Sequence, residues 1–127
     1  PKDPFEKRLE KIGKEIVSLI KKYKPEALAI ETLFFTTNQK TAMRVAEVRG
    51  AIIYLASSNN LSVFEYTPLQ IKIAVTGYGR AGKKQVIAMI TRMLPIKKKA
   101  LDDEYDAIAV GITHLASYKT AALKKML

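Results

Sequence analysis

Two short apolar runs separated by one helix-length segment restrict the fold of this chain more than any other feature. Ala27-Leu28-Ala29-Ile30 is continuously apolar and stops at a carboxylate, Glu31, the pattern expected of a strand buried on both faces. Leu61-Ser62-Val63-Phe64-Glu65-Tyr66 alternates in part and reads as a second strand after the turn Ser57-Ser58-Asn59-Asn60. Between them, a helical pattern runs from about Thr41 to Ala56, with Arg44, Glu47 and Arg49 among small residues. Strand, a crossover of roughly 30 residues and strand make a βαβ unit, whose two strands must be parallel.

Helices account for the rest of the chain. Asp3-Pro4 followed by Glu6 predicts a helix start with Asp3 as N-cap, and Phe5, Leu9, Ile12, Ile16, Leu19 and Ile20 then form one apolar stripe that ends before Pro25. Thr67-Pro68 opens a short helix through about Val75, and Gly77-Tyr78-Gly79-Arg80-Ala81-Gly82 breaks it with a flexible basic loop. Although Gly77, Gly79 and Gly82 match a dinucleotide-binding fingerprint, they follow a helix and not a strand, so that reading fails. Lys83 to Leu94 is helical and is closed by Pro95, and Lys97-Lys98-Lys99 leads to Asp102-Asp103-Glu104-Tyr105-Asp106. The apolar run Ala107 to Leu115 continues a helix, and a basic helix over Tyr118 to Leu127 finishes the chain. There is no internal repeat, low-complexity tract or linker, and residues 1–127 read as a single α/β domain.

Two strands are too few for a parallel sheet that buries both faces. The first residue is Pro1, and the chain opens directly into a helix whose apolar face needs covering. The expectation is an N-terminally incomplete domain, with strands that precede residue 1 in the natural protein.

The 127 residues carry 22 Lys+Arg against 12 Asp+Glu, a formal charge of +10, which points to a polyanionic partner, nucleic acid before acidic lipid. No apolar stretch approaches the roughly 18 residues of a spanning helix, and no signal-peptide core opens the chain, so the expectation is a cytoplasmic protein without a membrane partner. The absence of cysteine excludes disulfides, zinc–thiolate sites and a thiol nucleophile. A metal would have to bind oxygen ligands or the single histidine, His114, which reads as structural and not as a ligand.

Glu31 stands at the carboxyl end of a strand, where open α/β sheets meet their ligands, although a solvated residue at the strand exit would look the same. Asp103 and Asp106, spaced i, i+3 in the first turns of a helix, share one face. Capping and dipole compensation would also explain Asp102, Asp103 and Glu104, but Asp106 begins the apolar face of Ala107, Ile108 and Val110. A strand-end carboxylate with a helical pair is the ligand chemistry of a magnesium nuclease, because hard cations take oxygen ligands and bridge them to phosphate.

The same residues carry a resemblance. Ala29-Ile30-Glu31 with Phe34, then Val48-Arg49-Gly50, Val63-Phe64-Glu65-Tyr66-Thr67-Pro68, Gln70-Ile71-Lys72, the glycine loop, Lys83-Lys84-Gln85-Val86, Asp103-Glu104-Tyr105-Asp106-Ala107 and Ile112-Thr113-His114 resemble, in order and spacing, the RuvC-type Holliday junction resolvases. The resemblance spans nearly the whole chain. It implies an RNase H-like fold, a mixed five-stranded sheet flanked by helices, and a site of four acidic groups binding Mg2+, with Mn2+ able to substitute. Glu31, Asp103 and Asp106 would be three of the four; the fourth, an Asp at the end of the first strand, has no match here, so the chain as written should be impaired. Phe34 resembles the aromatic that wedges against bases near the junction centre, whereas Phe35 also fits a core aromatic. Lys72 and Lys83 resemble basic residues beside the scissile strand, and Arg80 and Lys84 join them as DNA-binding candidates that a solvated helix face would also explain. The helix around Arg49-Gly50 would lie in the contact of a two-fold homodimer, suited to two symmetric cuts. The resemblance also implies work beside a branch-migration helicase complex.

Taken together, these readings point to an endonuclease that resolves four-way DNA junctions by paired nicks, water activated by metal attacking the phosphodiester. A non-catalytic module that binds branched DNA or structured RNA, and an RNase H-like nuclease acting on RNA, are the rivals.

Overall fold

The computed structural model describes residues 2–32, 39–96 and 100–126, without the side chains of residues 119–125. Its elements, in chain order, are α1 (Phe5–Tyr23), β1 (Ala27–Glu31), α2 (Gln39–Ser58), β2 (Ser62–Tyr66), α3 (Pro68–Thr76), α4 (Lys83–Met93) and α5 (Asp102–Met126). β1 and β2 pair as the sequence requires. The Ser62 amide donates to the Glu26 carbonyl at one end and the Thr32 amide to the Tyr66 carbonyl at the other, so both strands run the same way and form a two-stranded parallel sheet. Every residue of β1 is half-buried, which corrects the expectation of burial on both faces: among the described residues the sheet has a single neighbour for each strand.

The chain divides into two compact units, and the division crosses both strands. The first unit comprises residues 2–28 and 39–63. Here α1 and α2 pack together, and Gly13 makes their closeness possible, since a Cβ at that position would stand 3.3 Å from the Leu55 methyl. Arg44 stacks its guanidinium 4.2 Å from the centre of the Phe5 ring while holding Glu47 at 3.3 Å. α1 does not start as its sequence suggests: Pro4 takes the N-cap position with no side-chain cap, and Asp3 instead pairs with Lys11 at 3.7 Å. It ends on Lys24 in the left-handed conformation of a helix C-cap, with the Lys24 amide donating to the Ile20 carbonyl.

The second unit comprises residues 29–32, 64–96 and 100–126. Its core is Tyr66 of β2, Ile71 and Val75 of α3, Ile90 of α4, and Tyr105, Ala109 and Val110 of α5, with Ile90 wholly buried. α3 packs on both α4 and α5. Thr67 and Gln70 form a full capping box at the start of α3, and Pro68 fills the first turn. Gly77, at φ 78°, ends the same helix in a conformation that side chains other than glycine strain to adopt. The two C-terminal helices expected from sequence are one: α5 runs unbroken for 25 residues, because nothing between Leu115 and Tyr118 breaks a helix.

Truncating Ile90 to Ala should destabilise the chain by about 2–5 kcal/mol, and Thr67→Ala, which removes the cap, by about 1 kcal/mol. Urea unfolding followed by circular dichroism measures both; equal losses would contradict the core and cap assignments.

Candidate nuclease site

Glu31, Lys72, Lys83 and Asp106 meet around one cleft of about 310 Å3 within the second unit. Each arrives from a different element, and local sequence explains each position. Glu31 is carried out of the sheet as the last residue of β1. Lys72 follows the capping box of α3 by a little over one turn, and Lys83 is the first residue of α4, placed there by Gly82, whose amide donates to the Gln85 side chain at 2.9 Å. Asp106 lies in the second turn of α5. Pro68, Ile71, Val86 and Ala109 give the cleft an apolar floor.

Lys83 and Asp106 form an ion pair across the cleft mouth. The hydrogen bond to Asp106 raises the Lys83 pKa above its ordinary range; the negative charges of Asp106, Asp102 and Asp103 add to this, and partial burial opposes it. The Glu31 carboxyl is likewise raised above its ordinary value of 4.5, first by burial and then by the charge of Asp106, with Lys83 and Lys72 pulling the other way. Two carboxylates therefore repel each other across a small space that two ammonium groups moderate.

Not every candidate from the sequence reaches this place. Asp103, one turn before Asp106, is exposed and is not among the cleft-lining residues, although its charge is felt at Lys83. Arg80 and Lys84 are exposed and away from the cleft lining. Glu104 serves the helix start, its carboxylate accepting from the Leu101 amide at 3.4 Å. Phe34 and Phe35, and the lysines at 97–99, lie outside the described residues. Among the described residues, no three acidic or histidine side chains stand close enough together to form a metal site. The histidine is engaged elsewhere. His114 Nδ1 is 2.7 Å from the Tyr66 hydroxyl, and its ring is 4.7 Å from Phe64 and 6.2 Å from Tyr118. Sequence reasoning passed over that link, because no spacing rule couples residues 48 positions apart; the signal available was a lone His on the same helix as the acidic pair.

Residues 1–114 match the family described as "Crossover junction endodeoxyribonuclease RuvC". The chain belongs to that family. Its relatives include the crossover junction endodeoxyribonucleases RuvC of Fusobacterium nucleatum, 47% identical over 88% of this chain and 60% of the relative, and of Natranaerobius thermophilus, 45% identical over 89% of this chain and 71% of the relative. Thus the chain spans three fifths to about seven tenths of these relatives. Two structures of Thermus thermophilus RuvC superimpose on 94% of it at 29% identity, one of RuvC with TM-score 0.83 and one in complex with Holliday junction substrate with TM-score 0.87; each is covered to 73% of its own length. The fold is therefore the RNase H-like fold of RuvC, as the resemblance implied, represented among the described residues by two strands and the helices that accompany them. No helix among the described residues is long and apolar enough to cross a membrane.

Because Glu31 holds its proton more tightly in the folded chain than in the unfolded one, its contribution to stability should fall as pH rises above 4.5. Glu31→Gln removes the repelling charge, so the variant should melt higher than the parent at about pH 7.5, with the gap closing near about pH 4. Thermal melts of both proteins across that range measure the difference, and an equal gap at both ends would refute the raised carboxyl.

Proposed function

We propose that this chain forms part of an endonuclease that resolves four-way DNA junctions by symmetric paired nicks during recombination and repair. The observation that carries the reading is the meeting of Glu31 and Asp106 at one cleft with Lys72 and Lys83 beside them. A family match and a relative solved with Holliday junction substrate support it.

The donor set suits Mg2+, or Mn2+ in its place: carboxylate oxygens are the ligands of hard cations, and their mutual repulsion is relieved by a cation between them. Glu31 and Asp106 would hold the metal; Asp103, the third acidic group that the resemblance implies, stands exposed one turn before Asp106 and outside the cleft lining. When bound, a divalent cation supplies activation of the attacking water and neutralisation of charge on the phosphodiester. The chain's own residues do the remaining work. Lys72 and Lys83 draw the phosphate into the cleft and hold it over the apolar residues that line it. Arg80 and Lys84 contact backbone phosphate further out, Phe34 wedges at the junction centre, and a second copy of the chain cuts the opposing strand. A branch-migration helicase complex belongs to this reading by resemblance alone.

One observation favours a second reading, a non-catalytic module for branched DNA or structured RNA: Asp106 is already neutralised by Lys83, and the acidic groups do not gather into a three-ligand cluster among the described residues. A labelled four-way junction with magnesium separates the two. Because the chain spans only part of its relatives' length, the assay pairs the chain as it stands with the chain joined to the N-terminal segment of a relative. The joined chain should nick symmetrically, and Asp106→Asn should lower its cleavage roughly a hundredfold or more while leaving junction affinity within a few-fold. Binding without nicks by both chains would establish the module instead. Lys72→Ala should weaken binding to any DNA and reduce the slope of log affinity against log salt by about 1, as a lost phosphate contact requires; an unchanged slope would remove Lys72 from the interface.

A further inference from the structure

Tyr66 touches both arms of the site without belonging to it. Its carbonyl accepts from the Thr32 amide at 2.8 Å and from the Thr32 hydroxyl at 3.4 Å, and Thr32 is the residue after Glu31. Its hydroxyl meets Nδ1 of His114 at 2.7 Å, and His114 lies eight residues beyond Asp106 on α5, on the order of 12 Å along the helix. Tyr66 is only 4% exposed, so little water is available to replace either bond. Its neighbour Thr67 caps α3, the helix of Lys72. The ring alone would fill this space as Phe. A buried hydroxyl is costly to desolvate unless it is partnered, and here its partner is the lone histidine, itself wedged between Phe64 and Tyr118.

We propose that Tyr66 is a positioning residue of the site: its two hydrogen bonds fix the strand end that presents Glu31 against the helix that presents Asp106. The proposal rests on the reading of those carboxylates as the acidic groups of the site. With His114 protonated on Nε2, the phenol donates to Nδ1, and α5 is pinned beyond Asp106. Releasing the pin lets α5 turn about its packed core and lets the Thr32 end of β1 fray, so the two carboxylates lose their fixed separation while the core around Ile90 stays closed.

The test compares the chain with Tyr66→Phe, His114→Leu and His114→Asn, the last keeping an acceptor near the place of Nδ1. Amide exchange by NMR reads the pin without any metal. Tyr66→Phe and His114→Leu should each speed exchange of the Thr32 amide about five- to tenfold while α4 amides stay within about twofold, the double variant should be no worse than either single one, and His114→Asn should restore slow exchange. Mn2+ alone, titrated by electron paramagnetic resonance, reads the consequence: affinity should weaken about three- to tenfold in the two variants that lose the bond and recover in His114→Asn. Variants that lower the melting temperature but leave Thr32 exchange unchanged would overturn the proposal, as would faster exchange with undiminished Mn2+ affinity. Failure of the parent chain to bind Mn2+ would strike the metal reading, and Thr32 exchange would then decide the role of Tyr66 by itself.

Discussion

Two carboxylates held at one small cleft repel each other, and the second unit is arranged around that repulsion. Glu31 is raised by burial and by Asp106 together; Lys83 pairs with Asp106, and Lys72 adds a further positive charge. Each of these groups is fixed by ordinary local chemistry: a strand that runs out at Glu31, a capping box before Lys72, a glycine before Lys83 and a helix start before Asp106. The elements that carry these groups share one core, that of Tyr66, Ile71, Ile90, Tyr105 and Ala109.

Much of this was legible in the chain itself, and the reasons are specific. The parallel pair followed from two apolar runs and the length between them, and the carboxylates followed from a charge at a strand end and a pair at helical spacing. The ordered run of short motifs pointed to the RuvC family, with which residues 1–114 agree. What could not be read depends on the third dimension. Asp103 and Asp106 share a helix face by periodicity, yet the turn between them leaves only Asp106 at the cleft. Lys72 and Lys84 look alike in sequence, and only the packing of α3 against α4 and α5 puts one at the site and the other in solvent. Asp3 has the chemistry of an N-cap, but Pro4 takes the position and Asp3 turns to Lys11. The continuity of α5 was missed because a shift from apolar to basic composition was read as a boundary, although helix propensity does not change there.

The formal charge of +10 is carried by the chain as a whole and not by the cleft. A basic surface raises the local concentration of a polyanion without regard to its sequence, whereas the charged side chains that line the cleft balance, two carboxylates against two ammonium groups. Among the described residues, Lys72 and Lys83 are the lysines that line the cleft with Glu31 and Asp106.

The unbroken course of α5 has a consequence for how such a chain can change in length over evolution. Asp106 and His114 are eight residues apart on a rigid rod that turns about 100° per residue, so inserting one residue between them would swing His114 a quarter-turn or more away from Tyr66 while Asp106 stayed in place. Seven inserted residues would bring the face back to within about 20°, at the cost of a longer reach. This stretch of helix accepts length only in whole turns, and works as a gauge as much as a scaffold.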